Sequence, residues 1–431
     1  MQNAGASDAA VSETPEPHGT AEPSAPARAA LAEQPSPLPG ISHNVFILSV
    51  VSFFNDVAGE MLYPVVPIFL ATTLGAPYAA IGLVEGTAEA AASGLKGFSG
   101  WAADRFGHKK RLIAGGYLLS AIAKPLLGLA TGWPLVLGAR VLDRVGKGIR
   151  TAPRDALIAD SATAATRGRA FGFHRAADTV GAVVGPLLAI ALIDRLGESN
   201  LRPIFLLAFL PGVAAVLLVP RVRESAPPVR PAPRAHATAP AVWTAPLLGF
   251  LGVSTIFAVV NSSDVFLILR AKGLGMSTVV VILAYVLYNL VFASLSTPAG
   301  EWSDRVGRKP ALVLGLLIFA AVYAGFAVAP NTTWMWPLFA VYGAYIALSE
   351  GVGKALLSDL APPASRGTVM GLYQLVVGLG ALVASVIAGW LWDALGAAAP
   401  FWYGAAGALL AGGLLLLIPL RPSKHAAGQP A

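Results

Sequence analysis

Stretches of about twenty apolar residues recur along almost the whole chain, and they constrain its fold more than any other feature of the sequence. A helix needs roughly 20 apolar residues to cross the hydrocarbon core of a bilayer. The composition agrees, because 55% of the side chains are apolar, 12% are charged and the mean hydropathy is +0.66. The sequence therefore predicts an all-α integral membrane protein with many membrane-spanning helices.

Twelve spans are predicted, in two sets of six, with boundaries good to a few residues. The first six cover residues 44–72, 78–102, 111–131, 134–159, 168–193 and 203–220. The second six cover residues 243–270, 276–300, 310–330, 334–358, 368–392 and 398–420.

The segments outside the spans differ sharply in composition. The N-terminal segment is rich in Ala, Pro, Ser and Glu, which predicts a disordered tail, and the central segment is rich in Pro, Ala and Arg, which predicts an extended linker. The expected organisation is a tail (1–42), a six-helix half (43–220), a linker (221–241), a second six-helix half (242–420) and a short tail (421–431).

Positive charge is distributed unevenly among the loops. Lys and Arg follow spans 2, 4, 8 and 10 and occur in the linker, whereas the loops at 73–77, 131–133, 331–333 and 393–397 contain none. The positive-inside rule then predicts that the linker and both termini are cytoplasmic, as in a protein of the cytoplasmic (inner) membrane. These loops also account for the net charge of +7, so no nucleic-acid partner is expected.

A charged, glycine-containing motif occurs twice, about 200 residues apart. GWAADRFGHKK begins at Gly100, and GEWSDRVGRK begins at Gly300. A second repeated pattern relates residues 160–172 to residues 359–371, in the same order along the chain. Two repeats displaced by nearly the same number of residues indicate that the two halves arose by a parallel duplication. Such a duplication places a substrate site on the axis that the halves share, near the bilayer midplane.

The repeated loop resembles the G-x-x-x-D-R-x-G-x-[RK]-[RK] motif of the major facilitator superfamily, and the resemblance extends over about residues 44–420. Arg144-Val-Gly-Lys-Gly148 resembles the R-x-x-x-G element of that family, and GAVVGP, which begins at Gly181, resembles the G-x-x-x-G-P element of its exporters. The resemblance implies the twelve-helix MFS fold and a secondary transporter, not an enzyme, that works by alternating access.

The same resemblance assigns roles to the motif residues. The two loops would form a cytoplasmic latch in which a carboxylate caps a helix or pairs with an arginine across the halves. The alternative is that these loops are tight turns whose charges only set orientation. Residues of the gating motif are Gly100, Asp104, Arg105, Gly107, Gly300, Asp304, Arg305 and Gly307. Gly181, Gly185 and Pro186 would allow close helix packing and a bend.

Ionisable residues inside the predicted spans are costly and are therefore functional candidates. Asp143/Lys147, Arg175/Asp178 and Glu350/Lys354 lie three or four residues apart, so each pair can form within its own helix, either for structure or as part of a gating network.

Two pairs of carboxylates, Asp56/Glu60 and Glu85/Glu89, have like charge one helical turn apart. Because such carboxylates repel, at least one is expected to hold a proton near neutral pH, as proton-coupled transport requires. Alternatively, Lys124 and Arg144 could neutralise these carboxylates in a structural network or bind an anionic substrate.

Polar residues of equivalent spans are expected to face a central cavity or, alternatively, to form hydrogen bonds between helices. The candidates for substrate contact are Asn55, Tyr63, Lys124, Arg144, Asn261, Asp264, Tyr288, Asn289 and Gln374, accompanied by Ser262, Tyr285 and Tyr373.

The leading hypothesis is a monomeric transporter that exports a small molecule in exchange for protons, with no cofactor. Proton-linked uptake of a polar or anionic solute is the alternative, and a non-transporting membrane receptor on the same scaffold is a third possibility. No metal site is expected, because no helix carries a histidine pair at ligand spacing.

Overall fold

The structure is a computed structural model that describes residues 38, 40–106, 108–163, 166–223, 243–362 and 365–419. The side chains of residues 97, 98 and 100–106 are outside this description. Within the described ranges, twelve helices, α1 to α12, follow one another, and each overlaps the predicted span of the same number. The predicted tails and most of the predicted linker lie outside the described residues.

The first six helices form the N-terminal half. They are α1 (His43–Glu60, then Val65–Ile68 and a π-helical turn Phe69–Thr73), α2 (Tyr78–Phe106), α3 (Lys109–Gly128), α4 (Trp133–Asp160), α5 (Arg167–Leu196) and α6 (Arg202–Leu207 and Phe209–Leu218).

The other six helices form the C-terminal half. They are α7 (Ala245–Ala258 and Val265–Gly273), α8 (Thr278–Val306), α9 (Arg308–Val328), α10 (Met335–Leu360), α11 (Arg366–Leu395) and α12 (Ala399–Leu417).

Seven helices of the described chain are long and apolar enough to cross a membrane by length and composition: α1, α5, α6, α8, α9, α11 and α12. Among the others, α2 carries five charged residues, α4 carries eight, and α7 is interrupted. Helices with charge on one face must turn that face away from lipid, so α2 and α4 are expected to line the interior of the bundle.

Two helices are interrupted at equivalent places. α1 breaks between Glu60 and Val65, where Pro64 supplies no backbone N–H, and α7 breaks over residues 259–264. The second break contains the sequence Asn-Ser-Ser-Asp, whose side chains compete for backbone hydrogen bonds and so disfavour a helix. Each break places an acidic residue, Glu60 or Asp264, within the bundle.

Helix packing repeats with an offset of six. In the first half, α1 packs on α5 and α6, and α4 packs on α2 and α3; in the second half, α7 packs on α11 and α12, and α10 packs on α8 and α9. Between the halves, α2 packs on α11 and α5 packs on α8. This is the contact pattern that a parallel duplication predicts.

The apolar cores show where the halves meet. We call the end of the bundle with residues 223 and 243 the linker end, and the end with the loops 74–77 and 274–277 the opposite end. In the described chain, the linker end contains two separate apolar cores, one in each half. A single apolar core crosses both halves through the middle and the opposite end. The halves are therefore joined at the opposite end and separate at the linker end.

Candidate transport site

A carboxylate of the first half is hydrogen-bonded by a tyrosine of the second half. The hydroxyl of Tyr285 on α8 donates to Oε2 of Glu60 on α1 at 2.6 Å. The ring of Tyr285 also packs on that of Tyr63, with ring centres 5.3 Å apart. Because the break in α1 follows Glu60, this side chain lies where the helix stops, next to α8. In the described chain, no cation lies within ion-pair distance of Glu60.

Asp264, at the break in α7, is held by two tyrosines of its own half. Tyr288 on α8 donates to Oδ2 at 2.9 Å, and Tyr342 on α10 donates to Oδ1 at 2.6 Å. Both of its carboxylate oxygens thus accept a hydroxyl. Asp264 is half-buried, and both tyrosine side chains are almost completely buried.

The tyrosine rings form a continuous aromatic cluster. The ring centres of Tyr285 and Tyr288 are 5.1 Å apart and those of Tyr288 and Tyr342 are 5.6 Å apart, both in an edge-to-face arrangement. Such geometry is favourable for aromatic pairs. The cluster therefore connects Glu60 of the first half with Asp264 of the second half.

Glu85 forms an ion pair that the sequence analysis did not anticipate. Arg140 on α4 binds Glu85 on α2 through two hydrogen bonds, Nε to Oε1 at 2.9 Å and Nη2 to Oε2. Both residues are buried, with 4% and 5% of their surface exposed, respectively. A bidentate pair of this kind satisfies both charges, so Glu85 is better suited to a structural role than to the predicted proton coupling.

Arg140 could have been found in the sequence. It lies one turn before Arg144 and two turns before Lys147, on the same face of α4. Continuing that helical spacing toward the N-terminus of the span predicts a third cation on this face. Its partner on α2 could not be derived in this way, because the pairing depends on how α2 and α4 pack.

Asp143 does not pair with Lys147, although their spacing allows it, because Asp143 faces α3 instead. Lys124 on α3 approaches Asp143 with Nζ 3.7 Å from Oδ1, and it donates to the carbonyl of Ser120 at 2.8 Å. Lys124 is buried between these helices. Its charge is therefore compensated within the N-terminal half, which does not favour the predicted role in the substrate cavity.

The predicted pair of Arg175 and Asp178 is also replaced. Asp178 lies 3.6 Å from Nε2 of His174, one turn earlier on α5, and Arg175 is exposed. By contrast, Glu350 and Lys354 form the predicted pair on α10, with an Oε1 to Nζ distance of 2.7 Å.

Arg144 and Lys147 of α4 differ from Arg140 in having no carboxylate within ion-pair distance in the described chain. The Nε atom of Arg144 is buried without a hydrogen-bond partner, and Glu89 of α2 is its strongest electrostatic neighbour. Lys147 is exposed and lies within electrostatic range of Glu89 and Asp56. These two cations and two carboxylates therefore form a loosely compensated group between α1, α2 and α4.

The remaining predicted contact residues make mostly local bonds. Asn55 donates to Asp56 at 3.3 Å, Asn289 donates to the carbonyl of Tyr285 at 2.9 Å, and Asn261 reaches the hydroxyl of Tyr345 at 3.5 Å. Gln374 is half-buried on α11. These residues fit the alternative expectation of helix–helix hydrogen bonds at least as well as contact with a substrate.

At the opposite end, two acidic residues connect the halves. Asp393 of α11 accepts hydrogen bonds from the first backbone N–H groups of α2, those of Tyr78 at 3.0 Å and Ala79 at 2.8 Å. Glu198, which follows α5, accepts from the backbone N–H of Thr278 at the start of α8 at 2.9 Å and from Lys272 at 2.9 Å. Each carboxylate thus caps a helix of the other half, where the helix dipole favours negative charge.

These two bridges are related by the internal repeat, because the helix pairs α11/α2 and α5/α8 are equivalent. Gly197, whose φ of 84° suits glycine, ends α5 and turns the chain so that Glu198 reaches α8. Partial burial raises the pKa of Glu198, but the hydrogen bonds from Lys272 and Thr278 lower it by more, so the pKa lies below its usual value. Sequence analysis missed both carboxylates, since an acid at or just beyond the end of a helix has no periodicity that reveals its partner.

Only one of the two predicted latch loops is described with its side chains. Asp304 pairs with Arg308 at 2.5 Å, and Arg308 approaches Asp359 at 3.5 Å, both within the second half. Gly307 has a φ of 98°, as the tight turn requires, Gly300 lies within α8 and Arg305 is exposed. Gly107 and the side chains of Gly100, Asp104 and Arg105 lie outside the described residues. The described loop thus makes its ion pairs within its own half.

The glycines of α5 serve close packing. A Cβ atom on Gly181 would lie 2.8 Å from the carbonyl oxygen of Phe53, and one on Gly185 would lie 2.7 Å from that of Val57. Pro186 is buried beside them. α5 therefore lies directly against α1, next to Asp56 and Glu60.

The chain belongs to the major facilitator superfamily, whose family model matches residues 48–284 and 249–431. It is therefore a membrane transporter and not an enzyme. It is 38% identical over 391 residues to an uncharacterized MFS-type transporter of Methanocaldococcus jannaschii, covering 88% of this chain and 95% of that protein. It is 24% identical over 351 residues to multidrug resistance protein MdtH of Salmonella newport, covering 80% of this chain and 84% of that protein.

Solved transporters have the same fold at low sequence identity. A crystal structure of the peptide transporter POT in complex with sulfate aligns with a TM-score of 0.74 at 15% identity, over 90% of this chain and 96% of that chain. A crystal structure of a mutant of the nucleoside transporter NupG aligns with a TM-score of 0.72 at 14% identity, over 87% of this chain and 99% of that chain. These similarities show a common MFS architecture.

Proposed function

We propose that the protein exports a small organic compound in exchange for protons and that Glu60 is a proton-carrying residue. The observation that carries this proposal is the hydrogen bond from Tyr285 to Glu60, because it joins a carboxylate of one half to a hydroxyl of the other. A carboxylate without a paired cation at this depth binds a proton at lower cost than one held in an ion pair.

This bond provides a physical route from protonation to conformational change. A hydroxyl bonds more strongly to an ionised carboxylate than to a neutral carboxyl group, so protonation of Glu60 weakens its contact with Tyr285. Since the two residues belong to different halves, the proton changes the relative free energies of the conformations in which they are together or apart. Asp56 and Glu89, near Lys147, are further candidates for carrying protons.

The direction of transport and the orientation are part of the same proposal. Export is supported by the similarity to a protein named for multidrug resistance. The linker end, with its surplus of Lys and Arg, would face the cytoplasm, and the opposite end would face outward. Both halves of the site come from one chain, which is consistent with a monomer in the inner membrane.

Proton-linked uptake of an anionic solute is the second candidate. It is favoured by the unpartnered Nε of Arg144, which a carboxylate or phosphate could bind. Lys124, the other cation invoked for this role, pairs with Asp143 and does not support it.

Proton movement in proteoliposomes tests the proposal. Purified protein would be reconstituted and exposed to cationic drugs, sugars, organic acids and divalent metals while internal pH is recorded. We expect at least one compound to evoke proton movement opposite to its own, and Glu60→Gln to abolish that movement. Asp194→Asn is the control, because Asp194 is an exposed acid near the end of α5. Proton movement in the same direction as the compound would indicate symport, and unchanged coupling in Glu60→Gln would contradict the role of Glu60.

A further inference from the structure

Asp264 is an acidic residue with no cation within ion-pair distance in the described chain. The hydroxyls and carboxylates of the described chain that interact with it electrostatically come from α1, α2, α8, α9 and α10. They are Tyr63, Glu89, Tyr285, Tyr288, Tyr323, Tyr342, Tyr345 and Glu350. An ionised carboxylate within a membrane protein is costly without a cation, and hydroxyl donors compensate only part of that cost. Some other positive species is therefore required for at least part of the transport cycle.

The geometry favours a proton over a larger cation. Both oxygens of Asp264 already accept a tyrosine hydroxyl, at 2.9 and 2.6 Å. The two tyrosines are tightly packed, with 5% of Tyr288 and 2% of Tyr342 exposed. An organic ammonium group or a hydrated metal ion would have to displace these hydroxyls, whereas a proton needs no additional space.

The tyrosines can accommodate that proton without losing a hydrogen bond. A hydroxyl can act as donor or acceptor, so it can bond to either form of the carboxyl group. A proton taken from a hydronium ion would bind at Oδ2, and the new O–H would donate to the hydroxyl oxygen of Tyr288, whose own hydrogen turns away. Tyr342 would continue to donate to Oδ1. The only covalent changes are the O–H bond that forms at Oδ2 and the O–H bond that breaks in the hydronium ion, which is left as water.

A physical connection links Asp264 to Glu60. Tyr285 and Tyr288 are three residues apart on α8, so their side chains lie on the same face, and their rings are in contact. One donates to Glu60 and the other to Asp264. A change in the hydrogen bonding of one tyrosine therefore acts directly on the environment of the other.

We propose that Asp264 is a second site of reversible protonation, coupled to Glu60 through Tyr285 and Tyr288, so that each half of the transporter carries one proton-binding carboxylate. This inference extends the proposed function, which requires Glu60 alone. The two acids also differ in how their hydrogen bonds respond when the halves move. The bond to Glu60 crosses between the halves, whereas the bonds to Asp264 stay within the C-terminal half.

Infrared difference spectroscopy during a pH titration tests this without knowledge of the substrate. The probe is the proton itself, and the signal is the carbonyl stretch of protonated carboxyl groups in protein reconstituted in phosphatidylcholine nanodiscs. We expect one carboxyl band to be lost in Glu60→Gln and a different band to be lost in Asp264→Asn. We also expect Glu60→Gln to shift the titration midpoint of the Asp264 band, because the two sites are coupled.

Tyr342→Phe leaves the Asp264 carboxyl group in place, so it provides a second test of the site if Asp264→Asn does not fold. It removes one donor to Oδ1, and the band assigned to Asp264 should move to higher frequency and remain visible. Asp194→Asn, which changes an exposed acid near the end of α5, should leave both bands in place.

The two proposals fail in different ways. If Asp264→Asn and Tyr342→Phe both leave every carboxyl band unchanged, Asp264 does not bind a proton and the inference is wrong. If Asp264→Asn removes its band but Glu60→Gln does not shift it, the coupling is wrong. If Glu60→Gln removes no band, the proposed role of Glu60 in proton transport fails, whatever the outcome at Asp264.

Discussion

The two halves share one helix arrangement but are built from different chemistry, as α4 and its equivalent α10 show. α4 carries a row of cations that includes Arg140, Arg144, Lys147 and Arg150. α10 carries Tyr342 and Tyr345 toward the interior, and its ion pairs in the described chain, Glu350 with Lys354 and Asp359 with Arg308, are made by exposed carboxylates. In the N-terminal half, buried charges are thus balanced by opposite charges. In the C-terminal half, the carboxylate of Asp264 is instead held by tyrosine hydroxyls.

This difference shows how the same fold can hold acidic residues for two purposes. Glu85 is neutralised by a bidentate arginine, so its charge is stable and belongs to the structure. Asp264 receives only hydroxyl donors, so its charge remains available for a proton. The contrast between ion pairs and hydroxyls, more than the position of an acid in the sequence, separates structural from functional carboxylates here.

The largest effect is expected from breaking the ion pair of the N-terminal half. Arg140→Gln leaves Glu85 buried without its cation, which should reduce the free energy of unfolding by about 3–5 kcal/mol. Denaturant unfolding of the purified protein in detergent measures this loss. The double variant Glu85→Gln/Arg140→Gln should recover a large part of it, and a single variant as stable as the wild type would show that the pair is not structural.

A smaller effect is expected from the hydroxyls of the C-terminal half. Tyr288→Phe removes one of two donors to Asp264, and leaving Oδ2 without its partner should cost about 1–3 kcal/mol in the same unfolding measurement. Tyr117→Phe is a control, because the hydroxyl of Tyr117 on α3 has no hydrogen-bond partner in the described chain. A loss in Tyr288→Phe as large as that in Arg140→Gln would remove the distinction between the halves.

The smallest effect concerns the exposed bridge between the halves at the opposite end. The pKa of Glu198 lies below its usual value, so its bonds to Lys272 and Thr278 stabilise closure above the ordinary carboxyl pKa of about 4.3. This contribution disappears as the pH falls through the lowered pKa of Glu198. Acid should therefore loosen this end, and Glu198→Gln should do so at neutral pH.

Distances between spin labels measure this opening. The chain contains no cysteine, so cysteines introduced at Asn200 and Gly273, one in each half, can be labelled specifically. We expect a broader distance distribution in Glu198→Gln at neutral pH and a weaker response to acid than in the wild type. Asp194→Asn, a change of a nearby exposed acid, should behave like the wild type. An acid response of the same size in Glu198→Gln would assign the closure to other contacts, such as those of Asp393 with α2.

Much of the fold could be predicted from the sequence. The apolar runs predicted the helices, and the repeated D-R-x-G loop predicted the duplication that the packing pattern shows. Glu60 and Asp264, on which the proposals rest, were also candidates in the sequence, because an ionisable residue inside an apolar run is conspicuous. Long apolar runs and buried charges are properties of a few neighbouring residues, so they can be recognised without knowing the rest of the structure.

The partners of these residues could not be predicted in the same way. Helical spacing suggested that Asp143 would pair with Lys147, but the structure pairs it with Lys124 on another helix. Spacing within one helix identifies which residues are able to meet, whereas the faces that two helices turn toward each other determine which of them do.

The sequence by itself determined that this chain crosses a membrane many times in two similar halves, because the hydrophobic requirement of a bilayer acts on each segment separately. Only the tertiary structure decided that Arg140 neutralises Glu85, that Tyr285 reaches Glu60 from the other half and that two tyrosine hydroxyls donate to Asp264. These contacts join residues 24 to 225 positions apart in the chain. Whether a carboxylate meets a cation or a hydroxyl depends on that packing, and so does its ability to carry a proton.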